Sequence, residues 1–513
     1  MVPAAPRPRR RGFLGFLTGC ATGAANDNLF RQIVQVALVA EAGRRFADPA
    51  EAEATGLMWG ILASVAFIVP FVLLAPLAGS LGDRSPKHLL IRAVRVGEVP
   101  LCILGAVGLA TGEVWILMGS LSLLAVQSAF FAPTKLAVVP ELVDNERLPK
   151  ANAHLQAATV LAILIGTGIA FVADPSAIMG TPFAALGPAG AVAALSLTLC
   201  AIGIVGTWRI PALPAQDPQA PLKPFDLVGQ LRALAQDKGR GRGLMMPAIS
   251  VAAFWSLGSA AQLMIIVAAK HGYNLGQAGT AVLNLMLAIG IIIGALLAPR
   301  LMVRAFPAGL PALGALGAGL FLVWAGIAAA HADAVLAAGA WWTWDALGFG
   351  LPLFATGICC GLWEVPLVVL LQERADPKAR NQVMAASGVL ASLGMIAAML
   401  LCYVLTQPLK LEAAHVMVVL GGLVAAAACG FLVHYRDHAI AWVIALTLRL
   451  AYRVRLVGAE HVPAEGGCVV ACNHLSYADG AILATCLPRR GRFLVYRRYV
   501  DMPIVGIFMR AAG

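Results

Sequence analysis

Ala25-Asn26-Asp27-Asn28-Leu29-Phe30-Arg31-Gln32-Ile33-Val34-Gln35 is a polar stretch set inside an apolar one. Gly12–Ala25 before it is apolar and rich in glycine, and Ile33–Ala40 after it is apolar again. Joined, residues 13–40 are long enough to cross a bilayer as one tilted helix, which takes about 20 apolar residues. A carboxylate in the middle of such a helix is costly, at least about 2.5 kcal/mol on insertion scales. Asp27 is therefore expected to face protein or water, with Arg31 one helical turn away as a partner. Two readings follow. Either Asp27, Asn28 and Arg31 belong to a transport path, the default for an ionisable residue at membrane depth, or Asp27 and Arg31 only lock helices together.

Outward from this stretch the chain stays apolar. Of 513 residues 60% are hydrophobic and 12% are charged, against about 25% charged in soluble domains. That excludes an ordinary soluble enzyme and predicts a polytopic membrane protein. Candidate spans lie near 13–40, 57–78, 89–110, 114–134, 155–173, 187–207, 245–269, 277–299, 309–330, 347–371, 383–405 and 413–434. The sixth ends at Trp208, and a Pro-rich polar connector, 209–243, precedes the other six. The expected plan is an all-α membrane protein of twelve transmembrane helices in two six-helix halves, 1–208 and 244–435. Residues 436–513 form a separate segment.

The net charge of +11 raises the question of nucleic acid. The basic residues answer it by their placement. Arg84, Lys87, Lys135, Arg147, Lys150 and the connector residues Arg209, Lys223 and Arg232 fall in alternate loops, whereas the opposite loops hold only Arg44, Arg45, Lys270 and Lys410. This is the positive-inside pattern, which predicts a cytoplasmic N-terminus and no nucleic-acid partner. Seven of the ten cysteines (Cys20, Cys102, Cys200, Cys359, Cys360, Cys402 and Cys429) sit in apolar runs. There they behave as small hydrophobes. No Cys/His spacing of the zinc type occurs, so neither a metal nor a disulfide framework is expected.

Two loops carry more than charge. Gly79-Ser80-Leu81-Gly82-Asp83-Arg84-Ser85-Pro86-Lys87, between the second and third spans, resembles the Gly-x-x-x-Asp-Arg-x-x-x-Lys/Arg motif of major facilitator transporters, with Lys87 one position early. By that resemblance the glycines permit close helix approach, and Asp83 takes a helix-end or Arg contact that latches one conformation. After the fourth span come Pro133-Thr134-Lys135, Pro140-Glu141-Leu142 and Lys150-Ala151-Asn152-Ala153. Together with Asp27-Asn28 these resemble the lysophospholipid transporter family, although Ala153 stands where a glycine is usual. A fainter counterpart, Gln372-Glu373-Arg374 to Arg380-Asn381-Gln382, follows the tenth span. Within that span Glu364, beside Pro366, is as hard to explain by packing as Asp27, and is expected to be the matching polar group of the second half.

Beyond Arg436 the composition changes. Ala439–Tyr452 is apolar with Arg449 near its end, too short to span and suited to the membrane interface. Cys468–Cys472 reads as a strand, followed by Asn473-His474-Leu475-Ser476-Tyr477-Ala478-Asp479. Asn-His-x-x-x-x-Asp resembles the first block of glycerolipid acyltransferases. By that resemblance His474 is the general base and Asp479 its orienting partner, while Ser476-x-x-Asp479 also fits a capping box opening a helix. The later blocks of that family do not follow, so the α/β segment is expected to be incomplete and inactive as it stands.

The joint expectation is a lysophospholipid transporter of the bacterial inner membrane fused to an acyltransferase segment on the cytoplasmic side. It implies a lysophospholipid substrate, surrounding membrane lipids and acyl carrier protein or an acyl-ACP synthetase as partners. It implies no bound cofactor, with acyl-ACP or acyl-CoA as acyl donor. Two alternatives stay open: a major facilitator exporter of an unrelated small molecule, and an acyltransferase for which the spans are mainly an anchor.

Overall fold

The computed structural model describes residues 10–170, 179, 184–236, 243–271, 277–303, 307–331 and 344–452, and of the C-terminal segment 457–458, 461–463, 466–473, 475–476, 479–487, 491–502 and 506. His474 lies outside the described residues.

Among those residues ten helices are long and apolar enough to cross a membrane, and the bent pair Met58–Leu73 and Ala75–Arg84 makes an eleventh if taken as one span. The remaining window is the polar one, α1 (Arg10–Arg45), whose 36 residues measure about 54 Å against a hydrocarbon core of about 30 Å. Its far end emerges in charge: Glu41 pairs with Arg45 at 2.7 Å and with Arg44 at 3.0 Å. After α1 come α2 (Pro49–Leu73), α3 (Ala75–Arg84), α4 (Lys87–Thr111), α5 (Val114–Ala137), the single turn α6 (Val139–Leu142), α7 (Leu148–Ile169) and α8 (Gly187–Trp208). Gly112, at φ +71°, closes α4 in the left-handed conformation that glycine adopts without strain.

The connector contributes a short helix, α9 (Leu227–Gln236). Then follow α10 (Met245–His271), α11 (Gln277–Leu301), α12 (Gly309–Ala330), α13 (Trp344–Arg374), α14 (Arg380–Thr406) and α15 (Ala413–His434). The chain divides into two compact units, one of Met1–Ala260 with Val368–Leu401, the other of Ala261–Leu367 with Cys402–Gly513.

In the first unit α1 is the hub and packs against α2, α5, α7 and α8. Leu29, Phe30 and Ile33 meet Cys102, Leu124, Val192 and Cys200 in one apolar cluster. One turn on, Val34 and Leu38 meet Ala63, Leu117 and Leu121 in another. Small residues let backbones touch: a side chain at Gly166 of α7 would strike the carbonyl of Ala25. Such close approach is how helices associate where no hydrophobic effect drives them.

The second unit follows the same rule. Gly290 and Gly294 of α11 face Gly357 and Gly361 of α13, and Gly319 of α12 faces Gly421 of α15. The apolar stretch after the last span becomes α16 (Arg436–Ala451). It buries Ala441, Trp442 and Ala445 against Val303 and Leu310. The Trp442 indole Nε1 donates to the carbonyl of Leu301, at the end of α11, at 2.7 Å. The helix is thus seated on the second unit by one face.

No strand occurs among the described residues; Cys468–Cys472 takes no regular element. A strand needs a partner to receive its backbone hydrogen bonds, and the described residues supply none. Among the described residues the segment holds α17 (Asp479–Cys486), which packs against α16, and the turn α18 (Arg497–Val500).

Candidate functional site

Successive residues of a helix point about 100° apart, so the polar stretch of α1 serves two faces. Asp27 is half-buried. Its Oδ2 accepts a hydrogen bond from Ser128 of α5 at 2.7 Å, and its Oδ1 is shielded with no hydrogen-bond partner among the described residues. Arg31 does not close on Asp27 as the i, i+4 spacing predicts. It donates instead to Asn28 Oδ1 at 2.8 Å, while Asn28 Nδ2 donates to the carbonyl of Ala24 at 2.8 Å. The guanidinium has a neutral partner on its own side of the helix, and the carboxylate has a hydroxyl from a neighbouring one.

Asn26 points the other way, into a buried cluster with Glu98 and Arg95. It is fully buried and donates to Glu98 Oε1 at 3.1 Å. Glu98 Oε2 in turn lies 2.7 Å from Arg95 Nη1, as an ion pair rather than an aligned hydrogen bond. Arg95 also donates to the carbonyl of Gly19 at 3.4 Å and stacks over Phe131, with the guanidinium carbon 5.0 Å from the ring centre. A side chain at Gly23 would collide with that guanidinium. The signal was present as Arg95-x-x-Glu98, an i, i+3 pair inside an apolar span.

The loop motifs meet in the first unit. Asp83 is buried at the end of α3, and its Oδ1 accepts from the backbone N–H of Asn381 at 2.9 Å and from Asn381 Nδ2 at 3.0 Å. Its Oδ2 accepts from the N–H of Gln382 at 3.2 Å. These amides open α14, where unpaired N–H groups and the helix dipole favour an anion. Gly82 is needed there, because an added Cβ would lie 2.7 Å from the Asn381 amide. Arg84 is exposed; Lys87 is buried and pairs with Glu141 at 2.6 Å. Asn152 and Gln372 form a reciprocal amide pair at 2.6 and 3.1 Å, and Gln372 also donates to the carbonyl of Leu136. So the two loop motifs of the first half bind the fainter counterpart after the tenth span. Pro133 is buried in α5, Lys135 is half-buried beside it, and Lys150 is exposed at the start of α7.

The connector adds contacts at the same place. The N–H of Asp217 donates to the carbonyl of Asp83 at 3.0 Å, and that of Lys223 to Ser80 Oγ at 3.2 Å. Leu227 packs against the cluster of Ala75, Ala385 and Val389. Asp83→Ala removes three acceptor contacts, each to an ionised group and worth about 1.5–3 kcal/mol. Amide exchange in the first turn of α14 is then expected to rise at least about tenfold; unchanged exchange there would show that these bonds do not hold the turn.

Glu364 is buried in α13 of the second unit, between buried Trp363 and Val365. At the C-terminal segment Asp479 heads α17, and its Oδ2 accepts from the N–H groups of Leu475 and Ser476, both at 2.7 Å. The bond to Ser476 is the reciprocal half of a capping box. It fixes the backbone that directly follows His474.

Residues 17–399 match the family model described as Major Facilitator Superfamily. Residues 453–513 match the one described as Acyltransferase. Among curated relatives, a Lysophospholipid transporter LplT of Photorhabdus laumondii subsp. laumondii is 29% identical over 324 residues, which cover 60% of this chain and 70% of that protein. Another, from Yersinia enterocolitica, is 28% identical over 345 residues, 66% of this chain and 75% of its own length. Among solved structures, the human organic anion transporter MFSD10 aligns over 83% of this chain and 100% of its own with a TM-score of 0.65 at 15% identity. The E. coli fucose:proton symporter FucP aligns over 83% and 99% with a TM-score of 0.54 at 14% identity. At such identities the structures speak for the fold alone.

Proposed function

The chain belongs to the Major Facilitator Superfamily, and from that premise we propose that residues 1–435 move lysophospholipids across the membrane while residues 436–513 belong to an acyltransferase that re-acylates the same lipids. The observation that carries the reading is the match, across most of the transporter region, to relatives named lysophospholipid transporters. It is supported by Asp27, whose carboxylate sits in an apolar helix with one oxygen unpartnered among the described residues. A polar headgroup is a natural partner for that oxygen.

In this reading Asp27, Asn28 and Arg31 line the path in the first half, 1–208, and Glu364 is the corresponding polar group of the second, 244–435. Gly82, Asp83, Arg84 and Lys87, with Pro133, Lys135, Glu141, Lys150 and Asn152, hold one conformation closed and release it during the cycle. The connector, 209–243, and both ends face the cytoplasm, and the membrane is the bacterial inner membrane.

In the acyltransferase His474 takes the proton of the lysolipid hydroxyl as its oxygen attacks the acyl carbonyl of acyl-ACP or acyl-CoA. An ester bond forms, the thioester bond breaks, and the departing sulfur receives the proton. Asp479 shapes the turn that presents His474 and orients its imidazole. Acyl carrier protein or an acyl-ACP synthetase is then the soluble partner.

Uptake of labelled lysophosphatidylethanolamine into vesicles containing the protein tests the substrate class. Unlabelled lysophospholipids are expected to compete and a water-soluble organic anion is not. Competition by the anion alone would favour the exporter alternative.

A further inference from the structure

Two helices of the first unit, α4 and α8, direct four electron-pair donors at one amide of a third, α1. Asn26 Nδ2 of α1 lies 3.1 Å from Glu98 Oε1, 3.2 Å from the carbonyl of Ser196, 3.3 Å from Cys200 Sγ and 3.8 Å from Cys102 Sγ. Glu98 and Cys102 stand one turn apart on α4, Ser196 and Cys200 one turn apart on α8. All five residues are buried. An amide nitrogen carries two hydrogens, so it cannot serve four acceptors at once. Its own oxygen, Asn26 Oδ1, has no hydrogen-bond partner among the described residues despite complete burial. The amide occupies the centre of a donor set that it does not match.

The set suits a cation. The two sulfurs are 3.7 Å apart. Two thiolates on one tetrahedral ion, each about 2.3 Å from it, stand about 3.8 Å apart. The ligand atoms of Glu98, Cys102 and Cys200 all lie within 4.8 Å of one another. Arg95 holds Glu98 Oε2 and leaves Oε1 turned to the centre.

Charge selects the valence. With both thiols neutral, Glu98 and Arg95 cancel. A divalent ion that releases two thiol protons to water is cancelled by the two thiolates, so the apolar core gains no net charge.

We infer that Cys102, Cys200 and Glu98 form a binding site for a thiophilic divalent cation of the zinc class, with the Ser196 carbonyl as fourth donor and Asn26 as the gate that swings aside. No oxidant or reductant is involved. The ion ties α4 to α8 and displaces Asn26, one residue from Asp27. The site stands on this geometry and does not depend on which substrate the protein moves.

Cobalt(II) reports thiolate ligation by its charge-transfer band, so the test is a Co²⁺ titration of the full chain, purified in detergent under reducing, thiol-free conditions. Wild type is expected to take up one more thiolate-bound equivalent than either Cys102→Ser or Cys200→Ser, and Zn²⁺ is expected to displace it. The other eight cysteines are common to all three proteins and cancel in the difference. Asn26→Ala is expected to keep the extra equivalent. Equal uptake by wild type and both serine variants overturns the inference. So does loss of the equivalent in Asn26→Ala as well, because the loss would then follow the helix packing and not the ligands.

Discussion

Asp27→Asn is expected to fold and insert like the wild type yet move lysophospholipid at least about tenfold more slowly, since a hydrogen bond to a charged group is worth about 1.5–3 kcal/mol. The substitution is nearly isosteric. Its amide oxygen can still accept from Ser128, the contact that Asp27 Oδ2 makes at 2.7 Å, so the α1–α5 packing is retained. What changes is Oδ1, which has no partner among the described residues and is replaced by a neutral donor. Ser128→Ala should have a milder effect, because it leaves the carboxyl group itself in place. Transport at the wild-type rate in Asp27→Asn would return the residue to a purely structural role.

Arg95→Met is expected to be the most damaging single change to stability. Methionine fills much of the guanidinium's volume over Phe131 but leaves Glu98 ionised in the core beside Asn26. Removing one partner of a buried pair costs about 3–5 kcal/mol, whereas replacing both by apolar groups is often neutral. The double variant Arg95→Met with Glu98→Leu should therefore recover most of the thermal stability that Arg95→Met loses. Thermal unfolding of the three proteins in detergent decides this. A single variant as stable as the wild type, or a double variant no better than the single, contradicts the account.

The architecture was legible because it rests on length and apolarity. The windows near 89–110, 309–330 and 413–434 reappear as Lys87–Thr111, Gly309–Ala330 and Ala413–His434. Asp27 was legible for the same reason, since one carboxylate stands out against an apolar span.

Partners were not legible. Asp83 was expected to meet a helix end, but nothing in the chain shows that the end belongs to Asn381, nor that Asn152 pairs with Gln372. Local spacing misled at Arg31, where i, i+4 geometry pointed to Asp27 while the nearer amide of Asn28 took the guanidinium. The approach of two cysteines was not legible either. Cys102 and Cys200 belong to no metal-like spacing, because α4 and α8 bring them together only in three dimensions. At Cys468–Cys472 the apolar, β-branched composition read as a strand, and strand formation depends on a neighbour that composition does not supply.

The central claim is that this chain moves lysophospholipid from one leaflet to the other. Back-extraction by albumin from proteoliposomes tests it most directly. Fluorescent lysophosphatidylethanolamine is added to the outer leaflet, and the fraction that albumin can no longer remove is followed in time. A protected fraction that grows with the amount of protein, is much reduced with Asp27→Asn, and is absent for a diacyl phospholipid is the predicted result. Protection no greater than in protein-free vesicles would contradict the account.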